Sequence, residues 1–320
     1  MAPLLSGAVT PANIDLTVEL VPLGKLFWQM PHSEPYDVAE MSLTGYIWAR
    51  QHGKAWTALP VFPAWVYGCH ADTLVHASSQ ISTAADLRGK RVGVPEYAVT
   101  ALSWVRDAWR QESSLLPSDV IWVEERTPAL SNYGPWGYTP PADVKIEAVP
   151  PETCLSEMLV AGEIDAVARY FGRPQRPGSG PAADRSPITL RDLAKSPELE
   201  WMYADRKAAA HAYQELVGAP QPIHCVVVKD EVLSRNPWVA ASLVAAFEEA
   251  ARPTEGSPSV KASFDFDGDE QARVFGPSFT PVGLGEHTVG MLRRLLDRAR
   301  WDGLVTDDSA QIEDLFYLER

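Results

Sequence analysis

Gly89-Lys90-Arg91-Val92-Gly93-Val94-Pro95-Glu96-Tyr97-Ala98-Val99-Thr100 reads as a β-strand, a sharp turn at Pro95 and the first turn of a helix that continues through Ala101-Leu102-Ser103-Trp104-Val105. A strand that feeds a helix through a tight turn leaves backbone N–H groups free at the helix start. Those groups, with the helix dipole, favour a carboxylate or a phosphate. Thr100 and Tyr97 add hydroxyl donors at this turn, and Glu96 adds an acid or base. An ordinary strand-to-helix connection looks the same locally, so the rest of the chain has to carry the weight.

Upstream, Ile14 to Val21 alternates with period two and predicts a half-buried strand. Tyr36 to Met41 predicts another, with Ser42 as N-cap of a helix over Leu43 to Gln51 and Thr44 in its first turn, a second anion cradle. Strands are expected at Trp56–Phe62, Ala71–His76, Val120–Glu124 and Lys145–Val149. Residues 126–143 are rich in Pro, Gly and aromatics and fit no regular element. Residues 172–187 read as a loop, Tyr203 to Val217 as a helix and Ile223 to Val228 as a buried strand with His224 inside it. Helices over Pro237–Ala251, Glu286–Arg300 and Ser309–Phe316 complete the chain. Strands alternate with helices, so the class is α/β, with mixed, mostly parallel sheets in two lobes and a cleft where helix starts converge.

The totals bound the function. At 320 residues and 46% hydrophobic the chain can bury a sizeable core. A net charge of −14 speaks against nucleic acid or an anionic membrane as partner. Cys69, Cys154 and Cys225 show neither CxxC nor CxxH spacing, which fits a reducing compartment. Met1 to Ala8 has no basic region and no apolar core of useful length, and no run of 18 apolar residues occurs. The expectation is a cytoplasmic protein with no membrane association.

Several stretches together resemble the 4,5-dihydroxyphthalate decarboxylase family: Asp37-Val38-Ala39-Glu40-Met41-Ser42, Leu59-Pro60-Val61-Phe62-Pro63, Leu87 through Tyr97, Ile121-Trp122-Val123, Leu159 through Ala166, Pro222 through Val227, and Asn236-Pro237-Trp238-Val239-Ala240. The order is kept from about residue 14 to 300. The resemblance implies a fold similar to type II periplasmic binding proteins, with crossovers near residues 94 and 221. One lobe would comprise residues 1–94 and 222–320 and the other residues 95–221. Family members are oligomers, so a homo-oligomer is implied. The family pattern carries an Arg-His pair after Val-Phe-Pro and an Arg just after that proline. This chain has Ala64-Trp65-Val66-Tyr67-Gly68-Cys69-His70, where the His matches only with one inserted residue and the arginines are gone. A bidentate guanidinium is hard to replace. A monocarboxylate or a bulkier aromatic acid is therefore favoured over a phthalate, and Trp65 is expected to fill the vacated space.

Decarboxylation of a hydroxylated aromatic acid needs a proton at the carbon that loses CO2, a group that polarises the ring hydroxyl, and a dry pocket for the carboxylate. No cofactor is required, and neither a P-loop nor a strand-end GxGxxG is present. His224 is the first candidate for proton transfer and His70 the second, with Glu96 as an acid if burial raises its pKa. A core histidine bonded to a backbone carbonyl, and a carboxylate capping its own helix, would read the same way; Glu40 is expected to bond its neighbouring backbone. Ser42, Thr44, Tyr97 and Thr100 are expected to hold a small aromatic carboxylate, with Arg169 or Arg173 facing the cleft. A divalent metal held by His70, His224 and Glu96 or Glu40 stays open, although no HxH, HExxH or HxxE spacing marks one. The rival functions are a transporter's solute-binding protein for a small carboxylate and a different lyase reaction on the same scaffold.

Overall fold

A computed structural model of the chain describes residues 2–127, 131–133, 136–168, 185–252, 260–262, 274, 281–306 and 310–318. In chain order the elements are α1 (Ala2–Leu5), α2 (Leu23–Ser33), β1 (Val38–Ser42), α3 (Leu43–Gln51), β2 (Trp56–Leu59), β3 (Trp65–Tyr67), β4 (Thr73–His76), β5 (Arg91–Val94), α4 (Thr100–Ser113), β6 (Ile121–Glu124), β7 (Lys145–Ala148), α5 (Leu155–Val160), β8 (Ala166–Ala168), α6 (Leu190–Leu193), β9 (Leu199–Trp201), α7 (Arg206–Val217), β10 (Gln221–Pro222), β11 (His224–Lys229), α8 (Asp230–Arg235), α9 (Trp238–Ala251), β12 (Val260–Ala262), α10 (Glu286–Trp301) and α11 (Ile312–Leu315).

The strands form three sheets, with orders β7-β6-β5-β8-β4-β9, β1-β11-β2 and β10-β3-β12. In the six-stranded sheet the β5–β6, β6–β7 and β5–β8 pairs are parallel, while β4 runs antiparallel to β8 and β9. β11 lies between β1 and β2, antiparallel to both, which suits its apolar run Cys225-Val226-Val227-Val228. The protein is thus α/β and two-lobed. One hydrophobic cluster carries buried residues of α3, α4 and α10, and a second packs α9 on the other face of β11. Both α3 and α4 are covered nearly all round: residues 43–49 of α3 are buried, as are Leu102 to Trp109 of α4. The starts of these two helices therefore lie inside the molecule.

The six-stranded sheet draws strands from both sides of residue 94. β4 precedes residue 94 and β5 ends on it, while their ladder partners β6, β8 and β9 follow it. Those pairings are set between distant segments, which local periodicity does not report. Residues 14–21 form no strand. Their alternation is real, because Ile14, Leu16 and Val18 are half-buried while Asp15, Thr17 and Glu19 are exposed. Ile14 and Leu16 pack against the second cluster, so one face is covered without a ladder beside it. The expected strand at 71–76 splits into a 3-10 turn at Cys69–Asp72 and the strand β4.

Candidate active site

The two helix starts singled out in the sequence meet. Ser42 is the N-cap residue of α3, but its side chain makes no capping bond to the backbone of that helix. Its Oγ lies 2.8 Å from Thr100 Oγ1 at the first residue of α4. Thr100 Oγ1 accepts the Thr44 backbone N–H at 3.0 Å, so α4 supplies the cap that α3 lacks. Thr44 Oγ1 lies 2.9 Å from Thr100 Oγ1 and donates to Ala98 O at 3.0 Å. Tyr133 completes the group, with its Oη 2.9 Å from Thr44 Oγ1 and its O–H donated to Ala98 O. All four side chains are buried. Burial raises the Tyr133 phenol well above its ordinary value, with the Glu96 charge adding to the rise, so it stays an O–H donor.

The β1–β11 ladder places His224 directly opposite Ser42. Side chains two apart on a strand share a face, so Glu40 points to the same side as Ser42. The His224 Nδ1 sits 2.6 Å from Glu40 Oε1. The side chains are 12% and 23% exposed, so both reach solvent while remaining held. Phe27 of α2 packs edge-on to the imidazole, with centroids 4.9 Å apart. Two expectations change here. His224 is bonded to a carboxylate rather than a backbone carbonyl, and Glu40 bonds His224 rather than its neighbouring backbone. Against an ionised carboxylate Nδ1 is the donor, which leaves Nε2 for other partners.

Glu96 is buried at the turn after β5. Its carboxylate accepts Ser131 Oγ at 2.5 Å and the Asn132 N–H at 3.1 and 3.3 Å, and it pairs with Arg126 Nη1 at 3.0 Å. Glu124, at the end of the adjacent parallel strand, accepts the Tyr97 N–H at 2.8 Å. Burial, and then the nearby Glu96 charge, push Glu124 up to about 7. Tyr97 is fully buried, with the Arg106 guanidinium 4.0 Å from its ring centroid, Tyr138 stacked at 5.7 Å and Trp122 edge-on at 5.2 Å. Among the described residues its hydroxyl has no hydrogen-bond partner, and none of its bonds reaches the Ser42–Thr44–Thr100 group.

The structure puts His70 elsewhere. It is buried in the 3-10 turn after β3, edge-on to Tyr203 and Tyr213 at 5.4 and 5.3 Å. Burial pushes its pKa down to about 4. Among the described residues no bond or ring contact links it to His224, Ser42, Thr44 or Thr100. Arg169 and Arg173 lie outside the described residues. Among the described residues no group of three or more His, Cys, Asp or Glu side chains could hold a metal ion. Trp65 is buried against Phe62, with its indole N–H on Phe62 O at 2.8 Å.

No family model matches the chain. It is 29% identical to a 4,5-dihydroxyphthalate decarboxylase of Comamonas testosteroni over 313 residues, covering 95% of this chain and 89% of that one. It is 31% identical to a 4,5-dihydroxyphthalate decarboxylase of Pseudomonas putida over 224 residues, covering 70% of this chain and 80% of that one. The chain belongs to the 4,5-dihydroxyphthalate decarboxylase family. At these identities it is a distant member, and it is an enzyme of the carbon–carbon lyase class. Among solved structures, the periplasmic sulfonate-binding protein SsuA of Methylobacillus flagellatus KT superposes with a TM-score of 0.50 at 11% identity, covering 89% of this chain and 73% of that one. That likeness shows the two-lobed binding-protein fold. Among the described residues no helix is long and apolar enough to cross a membrane.

Two residues of this candidate site escaped the sequence reading. Tyr133 sits in the Pro/Gly/aromatic segment, where no periodicity points to a face. Glu124 reads only as the end of a strand; its signal is a carboxylate at the end of β6, beside the turn that already carries Glu96.

Proposed function

We propose that this enzyme decarboxylates a hydroxylated aromatic or related cyclic carboxylic acid, with His224 as the general acid. The observation that carries the proposal is the His224–Glu40 contact on the ladder rung occupied by Ser42. A rung of an antiparallel ladder is about 5 Å across at the Cα atoms. A carboxylate taken up at the start of α3 would thus present its ring carbon to the imidazole. The protonated imidazole gives a proton to the carbon that carries the carboxylate. The C–C bond then breaks, its electron pair restores the ring and CO2 departs. A ring hydroxyl ortho or para to that carbon stabilises the positive charge that develops on protonation. Glu40 holds Nδ1–H and fixes the ring, so that Nε2 is the atom that moves the proton. The sum is one carboxylate and one proton giving one arene and CO2, with no redox step and no cofactor.

Ser42, Thr44 and Thr100 supply donors for the carboxylate at two helix starts, where the dipoles add. The names of the two relatives support an aromatic acid as substrate. The missing arginines of the Ala64–His70 segment favour a monocarboxylate. The test is CO2 release from a panel of hydroxybenzoates and hydroxyphthalates, with and without chelator, for the wild type and His224→Ala. Release that falls about 10²- to 10⁴-fold in the variant is expected. If several acids raise the melting temperature and none is turned over, the cleft captures a solute and the proposal is wrong.

A further inference from the structure

α4 and α10 meet at a cluster of charges that the proposed reaction does not use. Asp107 of α4 is fully buried, and its Oδ2 accepts the Tyr213 O–H of α7 at 2.7 Å and the Arg294 Nε–H of α10 at 2.7 Å. Arg298, one turn further along α10, has its Nε 3.7 Å from Asp107 Oδ1, too far for a hydrogen bond. Both guanidinium groups thus turn Nε towards a single carboxylate. Their terminal nitrogens are left over. Arg294 Nη2 and Arg298 Nη1 are buried and, among the described residues, have no hydrogen-bond partner.

A third cation stands beside them. Arg110, in the last turn of α4, holds its guanidinium carbon 4.5 Å from the centroid of the Trp301 ring, and Arg298 holds its own 5.4 Å from the same ring. Among the described residues Arg110 makes no ion pair, so three positive charges meet the one negative charge of Asp107. In a chain of net charge −14 this is a local reversal of sign. The C-terminal dipoles of α4 and α10 favour cations there, but a dipole gives a buried N–H no acceptor. A buried guanidinium nitrogen without an acceptor is costly. The Arg294 and Arg298 side chains are 27% and 19% exposed, so the cluster opens to solvent on one side. An oxyanion entering there would supply the missing acceptors, and a doubly charged one would balance the two excess charges.

We propose that Arg110, Arg294 and Arg298 form a binding site for a small, doubly charged oxyanion of the phosphate class, between α4 and α10. Arg110 is about 15 Å along α4 from Thr100, so this site is separate from the Ser42–Thr44–Thr100 group and independent of the reaction proposed above. The experiment is calorimetric titration of the full chain, in a phosphate-free and mildly alkaline buffer, with inorganic phosphate, glycerol phosphate and acetate. The wild type is expected to bind phosphate and to prefer it to acetate. Arg298→Gln is expected to weaken phosphate about tenfold. Arg110→Gln is expected to weaken it in the same direction, and reads the same site if Arg298→Gln fails to fold. Arg293→Gln removes an exposed arginine of α10 that pairs with Glu313, and is expected to leave the affinity unchanged. Tighter binding of glycerol phosphate than of inorganic phosphate would make an organic phosphomonoester the ligand, and the reverse order the free ion; both uphold the site. The proposal is overturned if the wild type binds no phosphate, or if Arg298→Gln and Arg110→Gln both bind it unchanged. It is also overturned if Arg293→Gln weakens binding as much as Arg298→Gln, which is diffuse attraction, or if acetate binds as tightly as phosphate.

Discussion

Replacing Glu124 with Gln should stabilise the protein at alkaline pH and do little at acid pH. The Glu124 carboxyl is raised from 4.5 to about 7 in the folded state, by burial first and by the Glu96 charge second. A raised carboxyl means that the folded chain holds a proton which the unfolded chain has lost. Stability linked to this group is therefore fully present below the unfolded pKa of about 4.5 and is lost as pH rises through about 7. The size of the shift corresponds to roughly 3 kcal/mol between the two ends of that window. Gln resembles the protonated acid, and its carbonyl can still accept the Tyr97 N–H that Glu124 takes at 2.8 Å. Urea unfolding of wild type and Glu124→Gln from pH 4.5 to 8.5 gives the comparison. The curves should meet near pH 4.5, with the variant ahead by up to roughly 3 kcal/mol at pH 8. A difference that does not change with pH, or a variant less stable at pH 8, would refute the reasoning. Adding Glu96→Gln should shrink the gap, since it removes the second cause of the shift.

His70 provides the opposite slope. Burial lowers it from 6.5 to about 4, so its contribution is present above 6.5 and is lost as pH falls towards 4. His70→Leu should remove roughly 3 kcal/mol of acid sensitivity, read by the same urea titration. Between about 4.5 and 6.5 the Glu124 and His70 slopes oppose each other, so the wild-type profile should be flatter than either variant's. Asp302→Ala should destabilise by about 3–5 kcal/mol, because it leaves the Arg106 guanidinium buried without its bidentate partner. Recovery of much of that loss in an Arg106→Met, Asp302→Leu double variant would show that the loss comes from the stranded charge. Gly68→Ala should cost about 2 kcal/mol or more: Gly68 has φ +59°, and an added Cβ would lie 2.2 Å from Ala210 Cβ on α7. A melting temperature equal to that of the wild type would show that α7 moves aside freely.

How much of this was legible in the sequence differs from element to element, for physical reasons. The β5–Pro95–α4 passage was readable because proline and the change of period from two to 3.6 punctuate it within a dozen residues. Ser42, Thr44 and Thr100 were readable as hydroxyls at helix starts, and the structure brings them together across the interior. The partner of His224 was not readable. Glu40 reaches it only because β1 runs antiparallel to β11 in one register, and a slip of one residue would turn Glu40 to the other face. The sheet that β4 joins was not readable for the same reason, since it is decided by partners at 166–168 and 199–201. Residues 14–21 show the converse: alternation reports a covered face, and a covered face does not require a ladder.

The candidate site follows from this division. The half that depends on backbone is built into the scaffold: two buried helix starts facing each other, a geometry that suits any small anion. Capture needs no more than that. The other half depends on side chains placed by ladder register and by a loop tied down from Glu96. His224 and Glu40 are bonded to each other, and Tyr133 reaches Thr44 at the start of α3. Those three groups come from three separate segments, and each hangs on contacts that a few substitutions would undo. On this scaffold, then, the step from holding a carboxylate to breaking its C–C bond requires no new fold. On the reading proposed above it requires a proton source on the rung beside the helix start, and β11 carries a histidine, His224, at its first residue.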